Sequence, residues 1–157
     1  MTAAASIAVR TLADNRSVAI TASARRLLIH QPDRGPRVEQ KILHLLANVQ
    51  ADGSKPLAEV VLSTLPQLRR GMTLCIVTGS VERDWVRAIA SLRRRGVAAL
   101  VILLDRASWV EREPDPQARA ELTAVRHALA EYDVPHRLVR AGDDLTEALS
   151  GRERARV

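Results

Sequence analysis

The sequence predicts an α/β fold: a three-layer, mostly parallel, doubly wound sheet with one antiparallel strand from an early hairpin. Three observations carry that expectation. Two uninterrupted apolar runs, "TLCIVT" at 73–78 and "ALVILL" at 99–104, have the length and composition of strands buried on both faces of a parallel sheet. Segments with apolar residues at helical spacing alternate with these runs, as βα units require. Two short β-rich runs, "SVAITA" and "RLLIHQ", flank "SAR" near the start and read as a hairpin.

The elements follow in order. "TAAASIAVRTLADN" reads as a helix stopped at Asn15. The hairpin comes next, followed by the turn "PDRG". From Pro36, the residues Val38, Ile42, Leu45, Leu46 and Val49 fall on one helical face. Asp52-Gly53 breaks that helix. Ser54 is the expected N-cap of another helix, with Pro56 in its first turn and a stripe of Leu57, Val60, Val61, Leu65 and Leu68. After "TLCIVT", Ser80 is expected to cap a helix carrying Trp85, Ile89 and Leu92, closed by Gly96. "ALVILL" ends at Asp105, and residues 106–116 form a polar loop. Asp115-Pro116 starts a helix with Leu122, Val125, Leu129 and Tyr132 on one face. "HRLVRA" is a third, more polar strand suited to an edge, and "GDDLTEALS" is a short capped helix. The expected organisation is one domain over residues 1–150 and a tail over 151–157.

Composition narrows the function classes. The chain has 157 residues, enough for one domain with a proper core. Nearly half are hydrophobic, yet there is no Phe, one Tyr and two Trp, so the core must be aliphatic. The formal charge of +6 comes from 24 basic residues, nearly all Arg, against 18 acidic ones. That balance suits an anionic partner, but the cations are spread along the chain and few aromatics exist to stack bases, which disfavours nucleic acid. The single Cys75 forms no intrachain disulfide, and no Cys/His cluster suggests zinc. It reads as a small buried hydrophobe in a reducing compartment. The longest apolar run, "VAALVILL", is far short of the ~20 residues that span a bilayer. The N-terminus lacks a charged n-region and a cleavage site.

Candidate sites lie where the predicted strands end. Thr78-Gly79-Ser80 forms a strand-to-helix turn, but it is neither G-x-G-x-x-G nor a P-loop with its Lys. Asp105 and Asp143-Asp144 follow the next two strands, where carboxylates bind Mg²⁺ or act as acid and base. Asp143 also suits an N-cap. His30, His44, His127 and His136 are far apart in sequence and none is paired with Ser or Cys in a nucleophile motif. "SLRRRG" places three Arg in the last turn of a helix, favourable for its dipole. Trp85 belongs to an apolar helix face and reads as core. Trp109, in "DRASWVEREP", is a candidate partner contact, or else it folds back on its own domain.

Five phrases in order carry a family resemblance: "RSVAITASARRLLIHQPDRG", "ADGSKPLAEVVL", "RRGMTLCIVTGS", "LRRRGVAALVILLD" and "DVPHRLVRAGDDLTEAL". Together they resemble the C-terminal von Willebrand factor A-like domain of the bacterial family filed as domain of unknown function fifty-eight. That fold implies a metal-ion-dependent adhesion site with D-x-S-x-S on its first strand, a loop Thr and a later Asp. Here no D-x-S-x-S occurs. Ser54 occupies the place of the loop hydroxyl, and Thr78-Gly79 stands where many relatives carry Asp-Gly. The resemblance therefore implies a degenerate site at Ser54, Thr78 and Gly79, with no metal and no cofactor.

It further implies a non-catalytic protein-interaction module rather than an enzyme, with a MoxR-type ATPase as the implied partner. Ser80, Asp105, Trp109 and Asp143 are then the candidate ligand or partner contacts. The expected location is cytoplasmic, with membrane anchoring, if any, from segments preceding this domain. The competing expectation is a small enzyme or nucleotide-binding domain using Thr78, Ser80, Asp105 and Asp143. In the resembled fold the D-x-S-x-S strand lies between "SVAITA" and "TLCIVT", and this chain begins in the helix after it. Those two strands must pair directly or keep open edges, which makes a homodimer through this half of the sheet an expectation.

Overall fold

The computed structural model describes residues 1–25, 27–50, 53–110 and 115–150. The expected tail at 151–157 lies outside them, as do Asp52 of the predicted helix break and residues 111–114 of the predicted loop. The chain divides into two compact units, Met1–Pro56 and Leu57–Val157.

The first unit contains α1 (Thr2–Ala13), β1 (Val18–Ser23), β2 (Leu27–Asp33) and α2 (Pro36–Asn48). Helix α1 stops where the sequence predicts. Asn15 adopts the left-handed region at φ 56°, the Arg16 N–H donates to the Thr11 carbonyl, and the Asn15 N–H donates to that of Leu12. These are the two bonds of a Schellman end, with Asn in the place usually given to Gly. Strands β1 and β2 pair antiparallel, from Ser23 opposite Leu27 to Val18 opposite Asp33, with a bulge between Val18 and Ile20. Ala8 and Leu12 of α1 share a core with Val38, Ile42 and Leu46 of α2, and Val18 and Ile20 of β1 pack against it. A two-stranded ribbon is marginal alone; here its apolar side chains have two helices to rest on.

The second unit contains α3 (Leu57–Thr64), β3 (Thr73–Thr78), α4 (Asp84–Ala90), β4 (Ala98–Leu104), α5 (Pro116–Glu131), β5 (His136–Val139) and α6 (Leu145–Ser150). Strands β3, β4 and β5 form a parallel sheet in that order. Ile76, Val101 and Leu103 point to one face. There they pack with Val61 of α3, with Trp85, Val86 and Ile89 of α4, and with Val125 and Leu129 of α5. Trp85 is fully buried, as its apolar helix face predicts. Helix α5 opens on Asp115, whose side chain accepts the Gln117 N–H at 3.0 Å, and closes on Asp133 in the left-handed region.

Several expectations are corrected. The hairpin does not add a strand to the parallel sheet: β1 and β2 make a separate two-stranded sheet, with β1's apolar side chains turned onto α1 and α2. The strand order β3-β4-β5 never turns back, so these strands contain no switch point of a doubly wound sheet. Ser54 is not a helix cap, because α3 begins at Leu57. Ser80 is not one either, because α4 begins at Asp84 with Arg83 at its N-cap position. Helix α4 ends at Ala90, so the arginines of "SLRRRG" fall in a following 3₁₀ turn at Arg93–Arg95, and the Arg95 guanidinium donates to the Leu65 carbonyl at 3.1 Å. Tyr132 follows the last turn of α5 and is exposed.

Among the described strands, β3 pairs only with β4. The Ala98 N–H donates to the Met72 carbonyl, and in a parallel ladder alternate residues face alternate neighbours. Thr73, Cys75 and Val77 therefore aim their backbone groups away from β4. The expectation of self-association rests on this apolar edge. Burial also pushes the Cys75 thiol above its ordinary value of 9.0. No helix among the described residues is long and apolar enough to cross a membrane.

Candidate functional site

Parallel βα units place the carboxyl ends of their strands, and the amino ends of the helices that follow, at one rim. Three segments meet there: Thr78-Gly79-Ser80 after β3, Asp105–Trp109 after β4, and Arg140–Asp143 after β5. The parallel registers hold these endings side by side, with Thr78 opposite Leu103 and Leu104 opposite Val139.

The β3 ending is closed by its own hydroxyls. Thr78 Oγ1 accepts the Ser80 N–H at 3.0 Å, and Ser80 Oγ accepts the Glu82 N–H at 3.3 Å. Gly79 lies directly under its neighbour: a Cβ there would stand 2.7 Å from Cγ and Cδ of Arg106 and would push that side chain aside. The arginine stem thus covers the turn where an approaching phosphate would need bare backbone.

The β4 and β5 endings are tied to each other. The Asp105 N–H continues the ladder to the Val139 carbonyl at 2.9 Å. Arg140 Nε lies 3.4 Å from Asp105 Oδ2, with the arginine side chain 54% exposed and the aspartate 17%. A pair this wet on the arginine side is worth at most about 1 kcal/mol, so its main consequence is positional. Ser108 links the same two segments, donating from Oγ to the Asp105 carbonyl at 2.6 Å and accepting the Ala141 N–H at 2.8 Å. Asp143 Oδ2 accepts the Arg140 N–H at 2.8 Å, which closes a turn. Asp143 is therefore not the cap of α6. Asp144 is, accepting the N–H groups of Thr146 at 2.7 Å and Glu147 at 3.0 Å. Those backbone donors hold the Asp144 carboxyl below its ordinary range.

Of the residues singled out in the sequence, the rim brings together Thr78, Gly79, Ser80, Asp105, Trp109 and Asp143. Ser54 belongs to the first unit. Three rim residues were not foreseen: Arg106, Ser108 and Arg140. Arg140 and Asp105 are 35 positions apart, and no local pattern announces such a pair. Asp144 was legible as one of two adjacent carboxylates; the start of α6 at Leu145 chooses between them.

The rim's chemistry is limited by these commitments. A Mg²⁺ site needs hard oxygens with at least one strong carboxylate. At the end of β3 the side-chain donors are the hydroxyls of Thr78 and Ser80, each already accepting a hydrogen bond, with no carboxylate between them, so the residues present do not fit the ion. Among the described residues, no three His, Cys, Asp or Glu side chains cluster as a metal would require. In the second unit, His127 lies well along α5 and His136 opens β5 at the far end of the strand, so neither serves as a base at this rim. What the rim presents outward is different: Trp109 is 54% exposed and Val110 60%, on the 3₁₀ turn that begins with Arg106.

Comparisons with protein families, with curated proteins and with solved structures find no match to this chain.

Proposed function

We propose that this chain is a non-catalytic protein-interaction module on a three-layer, von Willebrand factor A-like α/β plan, with a degenerate metal site. The observation that supports it best is the exposed Trp109–Val110 step beside Arg106. Trp and Arg carry a disproportionate share of interface energy, and an apolar pair left in water at a strand rim gains by being covered. The rim carboxylates and hydroxyls support the same reading, since Asp105, Asp143, Thr78 and Ser80 each hold a neighbouring group of their own chain. An enzyme or nucleotide site built on those four residues would first have to break these bonds. By the resemblance of its sequence, a MoxR-type ATPase is the first partner to test.

The test follows Trp109 fluorescence and the backbone amide spectrum during titration with Mg²⁺, ATP, a DNA duplex and a purified MoxR-type ATPase. The ATPase is expected to perturb Trp109, and Trp109→Ser should abolish the response. ATP perturbing the amides of Ser80, Asp105 and Asp143, with no response to the ATPase, would overturn the reading in favour of a nucleotide site.

A further inference from the structure

Helices α4 and α5 pack side by side, and a shallow groove runs along the outer side of α5. Its upper part encloses about 530 Å³ and is lined by Arg83, Arg119, Ala124, His127, Ala128 and Glu131 among others. An adjoining hollow of about 320 Å³ continues past Thr123, Arg126 and His127 to His136. From Arg119 to Glu131 the groove follows α5 for about 18 Å, a little over three helical turns.

Its charge is one-sided. Arg83, Arg119 and Arg126 line it, against Glu131 alone. The acids nearest along α5 are already used: Asp115 caps the helix and Glu121 accepts from the Gln117 side chain at 3.1 Å. No ion pair engages Arg83, Arg119 or Arg126 among the described residues. This contrasts with Arg140, whose guanidinium is held by Asp105 on the same unit.

The shape limits the occupant. The groove is open along its length and its floor is alanine methyl, so it cannot enclose a small molecule as a binding pocket does. The strand residue that lines it, His136, opens the four-residue β5 at one end of the groove, so an extended peptide lying along α5 gains little ladder there. The rings that line it are the imidazoles of His127 and His136, with no Phe, Tyr or Trp among the lining residues as a platform for bases. A helix laid alongside α4 and α5 would set its own ridge against Ala124 and Ala128 and bring its flanking side chains to Arg83, Arg119 and Arg126.

We propose that this groove docks an acidic amphipathic helix of a partner protein. The inference rests on the reading of the chain as an interaction module and supplies the chemistry of its partner. Electrostatic complementarity steers the encounter and sets the register, while the alanine floor lets the partner helix approach closely.

The experiment uses the full chain and three labelled probes: a helical peptide with a Glu-rich flank and an Ala/Leu ridge, the same peptide with Lys for Glu, and a DNA duplex. The Glu peptide should bind and shift the amides around Arg83, Ala124 and His127. Arg83→Ser with Arg119→Ser should weaken it at least about tenfold. Ala124→Leu, at a half-exposed site, should block it without lowering the melting temperature. Absence of Glu-peptide binding, equal binding of the Lys peptide, or a duplex that takes the same amides more tightly would each overturn the proposal. None of these outcomes touches the Trp109 response, so failure here is distinguishable from failure of the interaction-module reading.

Discussion

The two compact units bury their apolar residues by different means. In Met1–Pro56, two helices and a hairpin share a core of five buried residues. In the second unit, a three-stranded parallel sheet gives Ile76, Val101 and Leu103 a layer of helices carrying Trp85, Ile89, Val125 and Leu129. The smaller unit resembles a small domain, in which a low fraction of the surface is buried and the margin is thin. The larger unit has a sheet whose strand endings also build a rim. Core redundancy and a constructed surface thus occur together in one unit, while the other depends on a few side chains.

The largest expected effect breaks that dependence. Ile42 is fully buried between α1 and α2. Ile42→Ala removes about 2–5 kcal/mol, comparable to the whole stability of so small a core. Hydrogen exchange should show protection lost across α1, α2 and the hairpin while amides of β4 keep theirs. Equal loss in both units would show that they unfold as one, and the contrast would fail.

A second, smaller effect sharpens the picture inside the parallel sheet. Leu103 is fully buried on the helical face, whereas Leu100 on the opposite face is only half-buried. Leu103→Ala should cost about 2–5 kcal/mol, and Leu100→Ala clearly less, in denaturant unfolding. Equal costs would mean that both faces of β4 are packed alike.

The smallest effect concerns the rim. Asp144 is an exposed cap whose carboxyl sits below its ordinary value of 3.8 because Thr146 and Glu147 donate to it. A depressed folded value means the cap is present above the unfolded value and lost as pH falls through the folded one. The amide signals of Thr146 and Glu147 should therefore move with a midpoint below the ordinary 3.8, and stay flat in Asp144→Ala. Movement that persists in Asp144→Ala would assign the titration to another group.

Much of this architecture was legible because its causes are local. Asn15 stops α1 and Asp115 opens α5 through groups within a few residues of themselves, so the sequence displays both. "TLCIVT" and "ALVILL" are strands on composition alone, and the periodicity of Val38, Ile42 and Leu46 marks a helix face before any partner is known. Burial was legible less fully: Ile76, Ile102 and Leu103 are buried as apolar strand residues should be, but Leu74 and Leu100 are half-buried. A residue's own polarity does not say how much lies over it.

Tertiary structure decided the rest. Whether the hairpin joins the parallel sheet depends on which apolar surface its side chains meet, and Val18 and Ile20 meet α1 and α2. Ser80 and Asp143 have capping chemistry, but the helices begin at Asp84 and Leu145, so both side chains close turns instead. The bond between Arg140 and Asp105 exists because β4 and β5 run parallel in register. The groove on α5 exists because α4 packs beside it. Local hydrogen bonding and hydrophobic period are written in short stretches of chain; contacts between residues distant in sequence are settled only when the strands choose their neighbours.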